Sequence, residues 1–327
     1  MTRFANLACR ALGVALCVAA VGCSTSRVGR PDASGLPIAE TVCEFARNGG
    51  PEGLSGITAI RNDRYFSVDD RGGMLHELEI VVGEEGDVRE CRVKRSVRLE
   101  GRVDLEGCAY DPLDGRVWVS DEHDTSIRQF DPETGKETGA VTVPEIFSQN
   151  VVPNRSFEAL AISPNGMAMY VANEDTLKCD GGVADKKHGG LVRIQEFVRF
   201  AKGGTWVATR QLRYRTEPVE GDPFSGIAIS GVAAMCVADD GNLLVLEREM
   251  SQKNPLFPSF HARIFEVPLK NAADGSKRLI WEENTMFSNY EGLCKGPKLN
   301  DGSQSLILVS DGGGGAEKNI LVVARHR

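Results

Sequence analysis

The chain has 327 residues, 41% hydrophobic and 26% charged, with 36 Gly and 14 Pro, which excludes a disordered or collagen-like polymer and allows one or two packed domains. Its 38 Lys plus Arg against 46 Asp plus Glu leave a formal net charge of −8. That balance removes nucleic acid from the partner list, because such binders neutralise phosphates with a basic face.

At the N-terminus Arg3 and Arg10 precede an uncharged, mostly apolar stretch, residues 11–22, which has the length of a signal-peptide core and is too short to span a bilayer. The junction Ala20-Val21-Gly22-Cys23 is similar to the bacterial lipoprotein cleavage motif, with Cys23 as the lipidated residue; an ordinary secretory signal is the alternative. The expected organisation is a signal peptide over 1–22, a flexible Ser-, Gly- and Pro-containing tether over 23–37, and one domain over 38–327. Ser24 after the cysteine points to the outer membrane of a bacterial envelope, reached through the lipid alone. Cys43, Cys91, Cys108, Cys179, Cys236 and Cys294 then remain in an oxidising compartment that permits disulfides, with no Cys/His spacing for zinc.

From residue 50 onward, short alternating or apolar runs are punctuated by Gly, Asp and Asn, which predicts an all-β fold. Five segments begin alike: Leu54-Ser55-Gly56, Leu105-Glu106-Gly107, Phe157-Glu158-Ala159, Ile229-Ser230-Gly231 and Tyr290-Glu291-Gly292. Each is followed by a polar turn and a second apolar run, and the markers recur at intervals of roughly fifty to seventy residues, the arithmetic of propeller blades. The reading is a β-propeller of five blades, six as the alternative, with residues 38–45 as an N-terminal strand closing the last blade. A pair of β-sandwiches is the structural runner-up.

The second runs end in Asp69-Asp70-Arg71, Asp121-Glu122, Asn173-Glu174, Glu247-Arg248-Glu249 and Asp311. In a propeller the start of the first strand and the end of the second lie at one face, so Ser55, Asp70, Glu106, Asp121, Glu158, Glu174, Ser230, Glu247, Glu291 and Asp311 are expected to converge on one channel mouth. Crowded carboxylates raise one another's pKa unless a cation is present, and oxygen donors suit Ca²⁺ better than zinc. The expected metal ligands are Glu106, Glu158, Glu174, Glu291 and Asp311, with Arg248 orienting substrate and Asp121 or Glu122 as base. The bland alternative is that these acids fix ring geometry through hydrogen bonds between blades.

The chain resembles the esterase-like-activity-of-phytase (phytase-like) family over roughly residues 50–325. The residues that carry the likeness include Asp104-Leu105-Glu106-Gly107, Ser120-Asp121-Glu122, Ser156-Phe157-Glu158-Ala159, Leu246-Glu247-Arg248 and Asn289-Tyr290-Glu291-Gly292. The resemblance implies a β-propeller and hydrolysis of a phosphate or carboxyl ester; Ser55 and Ser230 depart from it by replacing the marker Glu. No GxSxG elbow, P-loop or HExxH is present. Of the five histidines, His123 falls near the mouth, His76 reads as a strand-surface residue and His188 lies in a charged loop. Ser120 and Ser310 have no His/Asp relay evident in the sequence, and the insertion at 180–190 is either a lid or a plain loop. Two functions follow: a lipid-anchored extracytoplasmic, metal-dependent ester or phosphoester hydrolase acting on a small molecule, or a non-catalytic propeller that binds a glycan, peptide or envelope protein.

Overall fold

The computed structural model describes residues 51–326 apart from 52, 103, 222–227, 255–256, 271–275, 286–287 and 312–320. The expected signal peptide, tether, lipidated Cys23 and closing strand at 38–45 lie outside the described residues. Strands β1 (Leu54–Arg61), β2 (Arg64–Asp69), β3 (Met74–Val82) and β4 (Val88–Arg98) form one antiparallel meander in chain order. The next two are β5 (Leu105–Asp111), β6 (Arg116–Asp121), β7 (Ser126–Phe130) and β8 (Glu137–Ala140), then β9 (Phe157–Ile162), β10 (Ala168–Asn173), β11 (Leu191–Val198) and β12 (Val207–Arg215). The last two are β13 (Ala228–Val237), β14 (Leu243–Asn254), β15 (Phe257–Val267) and β16 (Arg278–Thr285), and the three strands β17 (Asn289–Lys298), β18 (Gln304–Asp311) and β19 (Leu321–His326). A short helix, α1 (Glu145–Asn150), links the second and third meanders.

The first strand of each sheet touches the first strand of the next: β1 meets β5 and β17, β9 meets β5 and β13, and β13 meets β17. The sheets therefore close into a ring, and the fold is an all-β β-propeller. The expectation of five blades is corrected to four complete four-stranded blades; the sheet of β17, β18 and β19 has three strands among the described residues.

The marker glycines explain how the ring closes so tightly. A Cβ on Gly107 would lie 2.7 Å from the Glu158 carbonyl oxygen and 2.8 Å from the Leu160 nitrogen, and one on Gly292 would lie 2.4 Å from the Ser55 carbonyl oxygen. Adjacent inner strands thus approach backbone to backbone, which only a residue without a side chain allows.

Between blades the apolar faces pack. Phe66, Val68 and Leu75 meet Val117, Val119 and Phe130, while Trp281 and Tyr290 meet edge to face with ring centroids 5.9 Å apart. Each such fully buried side chain contributes about 1.5–3 kcal/mol. Arg199 is buried between the second and third blades, donating from Nη2 to Asp111 Oδ1 at 2.6 Å and from Nε to the Gly166 carbonyl at 2.7 Å. Its guanidinium also stacks over Trp206 at 4.6 Å. Cys91 is disulfide-bonded, while Cys108, Cys236 and Cys294 are free and buried and Cys179 is free and exposed.

If backbone contact sets the ring, Gly107→Ala lowers stability by about 1–3 kcal/mol in urea unfolding, the cost of overpacking. Gly182→Ala, where a Cβ meets nothing within 4 Å, leaves the midpoint unchanged.

Candidate functional site

The pairing register decides which strand-end residues face the axis. Leu54 pairs with Asp69, Leu105 with Asp121 and Phe157 with Asn173, so the next residue along each second strand, Asp70, Glu122 or Glu174, stands beside the marker side chain. A cavity of about 210 Å³ results, lined by Asp70, Glu106, Glu122, Asn154, Arg155, Glu158, Glu174, Arg248 and Glu291.

Of the ten residues expected there, Asp70, Glu106, Glu158, Glu174 and Glu291 line the cavity, while two of the other five, Asp121 and Glu247, face elsewhere. Asp121 turns to Arg102 Nη1 at 3.5 Å and accepts the His123 N–H at 3.1 Å. Glu247 is buried behind the blade, where it accepts from the Tyr214 hydroxyl and Lys277 Nζ at 2.6 Å each. The reason is common to both: a step of one residue along a strand reverses the face, and Glu122 and Arg248 take the axial positions instead. Asp311 pairs with Arg71 at 3.3 Å beside the cavity, and Ser230 is buried without lining it. Ser55 donates to Glu106 Oε2 at 2.7 Å, so the serine that replaces a marker acid supports its neighbour.

Arg248 is the central cation. Its Nη2 donates to Glu174 Oε1 at 2.6 Å and to Glu158 Oε1 at 3.5 Å, while Nη1 donates to Glu291 Oε1 and, at 3.2 Å, to Asn289 Oδ1. Arg155 Nη1 donates to the same Glu174 oxygen at 2.7 Å. Even so, the lining holds six carboxyl groups against two guanidiniums.

Burial first and neighbouring carboxylates second push Glu106 and Glu158 well above the usual carboxylate range. Glu291 is pushed up to about 8 by burial, with Arg248 holding it back. Glu122 rises to about 7 through burial, opposed by the Ser156 N–H, and Asp70 to about 7 through burial and the charge of Asp311. Carboxylate oxygens of Glu122, Glu158 and Glu174 lie within 4.8 Å of one another, as do those of Asp104, Glu106 and Glu122. This all-oxygen donor set fits a hard cation such as Ca²⁺ and does not suit zinc.

His123 is exposed and lines no part of this cavity, and neither does any residue of 180–190. That insertion docks instead on the following segment, with Val219 N donating to the Asp185 carbonyl and Lys186 Nζ to the Glu220 carbonyl, both at 2.9 Å. Asn154, Arg155 and Asp104 were not expected from the sequence. Arg155 sits three residues before the third marker, where no other unit carries an arginine, so a search by repeat passes over it.

Acids whose folded pKa is raised stabilise the fold fully below the ordinary carboxylate range, and that contribution is lost as pH rises through the folded pKa. In the presence of a chelator, melting temperature should therefore fall from pH 5 to pH 8, the window set by Glu122, Asp70 and Glu291. Glu291→Gln should flatten that slope in a thermal scan; an unchanged slope would remove Glu291 from the account.

The family model described as esterase-like activity of phytase (phytase-like) matches residues 50–312. No curated protein matches the chain. Among solved structures it is similar to hydrazine synthase of Kuenenia stuttgartiensis, with 13% identity, a TM-score of 0.38, and coverage of 81% of this chain but 59% of that one. It is also similar to a gluconolactonase from Xanthomonas campestris, at 10% identity over 93% of this chain and 96% of that one, with a TM-score of 0.42. A chain of a nidogen/laminin complex gives 9% identity over 84% and 85%, with a TM-score of 0.43.

Proposed function

The chain belongs to the phytase-like family, and on that premise we propose that the acidic cavity is the site of a calcium-assisted ester or phosphoester hydrolase. The observation that carries this reading is the excess of six carboxyl groups over two guanidiniums in about 210 Å³, a charge imbalance that a divalent cation relieves.

Glu122, Glu158 and Glu174, with Glu106 beside them, would hold the ion. Glu291 and Asp311 are engaged by Arg248 and Arg71 and serve as anchors for those cations. A bound divalent cation supplies a polarised substrate oxygen and a more acidic water. Arg155 and Arg248 orient an anionic substrate group, because planar guanidiniums match phosphate and carboxylate geometry. Asp70 lines the same cavity with a pKa near neutrality, and takes the proton-transfer role first assigned to Asp121 or Glu122.

A second reading has one specific observation in its favour. Arg248 joins acids of the third and last blades from its own place in the fourth, which is what a purely structural clasp does. The proposal extends to the rest of the chain: Cys23 carries a lipid that tethers the propeller to the outer membrane.

Metal analysis and hydrolysis of p-nitrophenyl phosphate and p-nitrophenyl acetate test the site. Calcium-dependent turnover that drops by about 100-fold or more in Glu158→Gln, at unchanged melting temperature, supports the enzyme. No bound metal, no turnover and a lower melting temperature in Arg248→Ala support the clasp. In fractionated cells Cys23→Ala should move the protein out of the membrane pellet; retention there refutes the lipid anchor.

A further inference from the structure

We propose that the first blade carries a second, metal-independent esterase site in which Ser96 is the nucleophile, His76 its base and Asp69 the group that orients the imidazole. These three side chains lie outside the acidic cavity. Two hairpin registers bring them together: His76 pairs with Ser67 on one side and with Ser96 on the other, and Asp69 ends the same strand as Ser67. Residues directly opposite on adjacent strands project to the same face, which places the Ser96 hydroxyl over the imidazole.

His76 Nδ1 lies 2.8 Å from Ser96 Oγ, and His76 Nε2 lies 3.3 Å from Asp69 Oδ2. The other carboxylate oxygen, Asp69 Oδ1, accepts the N–H groups of Gly72 at 2.7 Å and Met74 at 3.1 Å. Burial alone would raise this acid, but the contacts from His76, Met74 and Gly72 overcome it and hold the carboxyl below its usual range. An ionised carboxylate only accepts, so the imidazole proton sits on Nε2 and the Nδ1 lone pair faces the serine hydroxyl. His76 and Asp69 are buried, whereas Ser96 is exposed on β4, the outermost of the described strands of its sheet. A protected relay thus ends in a nucleophile that solvent reaches.

The reaction is acyl transfer from a small carboxylic ester. Ser96 Oγ bonds to the carbonyl carbon as its proton passes to His76 Nδ1, and the ester C–O bond then breaks. The departing alkoxide takes the proton back from Nδ1. Water repeats the sequence on the acyl-serine, releasing the acid and restoring the hydroxyl. Asp69 stabilises the imidazolium formed in between. Ser96 stands exposed on the strand surface, so small activated acyl groups are the class it takes.

Full-length protein in excess chelator is treated with a fluorophosphonate, in which attack by Oγ forms an O–P bond, breaks P–F and releases fluoride, and the adduct is located by peptide mass spectrometry. The expected result is a single adduct on Ser96, absent from Ser96→Ala. Its rate should fall by about 100-fold or more in Asp69→Asn, a variant that keeps the shape but sets the wrong tautomer. Chelator-resistant hydrolysis of p-nitrophenyl acetate should fall with it, measured at a temperature where circular dichroism shows the variant folded. No adduct, an adduct on another residue, or equal labelling of Asp69→Asn would overturn the proposal and leave a hydrogen-bonded clasp across β2, β3 and β4. Because calcium is removed throughout, the outcome is independent of the acidic cavity.

Discussion

Two carboxylates within 4.8 Å of one another, as in the Glu122, Glu158 and Glu174 group, repel by at least about 3.5 kcal/mol at an effective dielectric constant near 20. Keeping one ordinary glutamate protonated at neutral pH costs about the same, roughly 3.4 kcal/mol. Neither full ionisation nor simple protonation therefore wins outright, and the arrangement is poised between proton, arginine and external cation. The rest of the mouth follows from this balance. Arg248 spans three acids, Arg155 shares Glu174 with it, and Ser55 places a hydroxyl donor where a further carboxylate would have added to the repulsion.

Much of the architecture was legible because a propeller must solve the same packing problem in every blade. Each inner strand needs a small residue where it meets the next backbone, and each hairpin needs a polar turn, so the solution recurs along the chain. The facing of individual acids was less legible. Two polar residues stand side by side where the second runs end, Asp121-Glu122 and Glu247-Arg248, and spacing along the chain does not say which of the two turns to the axis. Asp121 and Glu247 were accordingly assigned to the wrong face. Arg155 escaped for the opposite reason, since it belongs to no repeat and its importance comes from one partner, Glu174.

The first blade shows a third kind of blindness. His76 read as a surface residue because one histidine in an alternating strand says nothing about what the neighbouring strands place beside it. Its burial and its contacts with Ser96 and Asp69 depend on two registers at once. In an all-β fold, polar constellations assemble across strands, so residues twenty or more positions apart can form a unit that no local motif announces. Ser96 and His76 are twenty apart.

The backbone contact at Gly107 and Gly292 bears on how this scaffold can diversify. With neighbouring inner strands already touching, the bore cannot be widened gradually by substitution; it changes in whole steps, by gain or loss of a blade. Any adaptation to larger or differently shaped molecules must then come from the loops above the rim, while the bore itself stays a constant of the lineage.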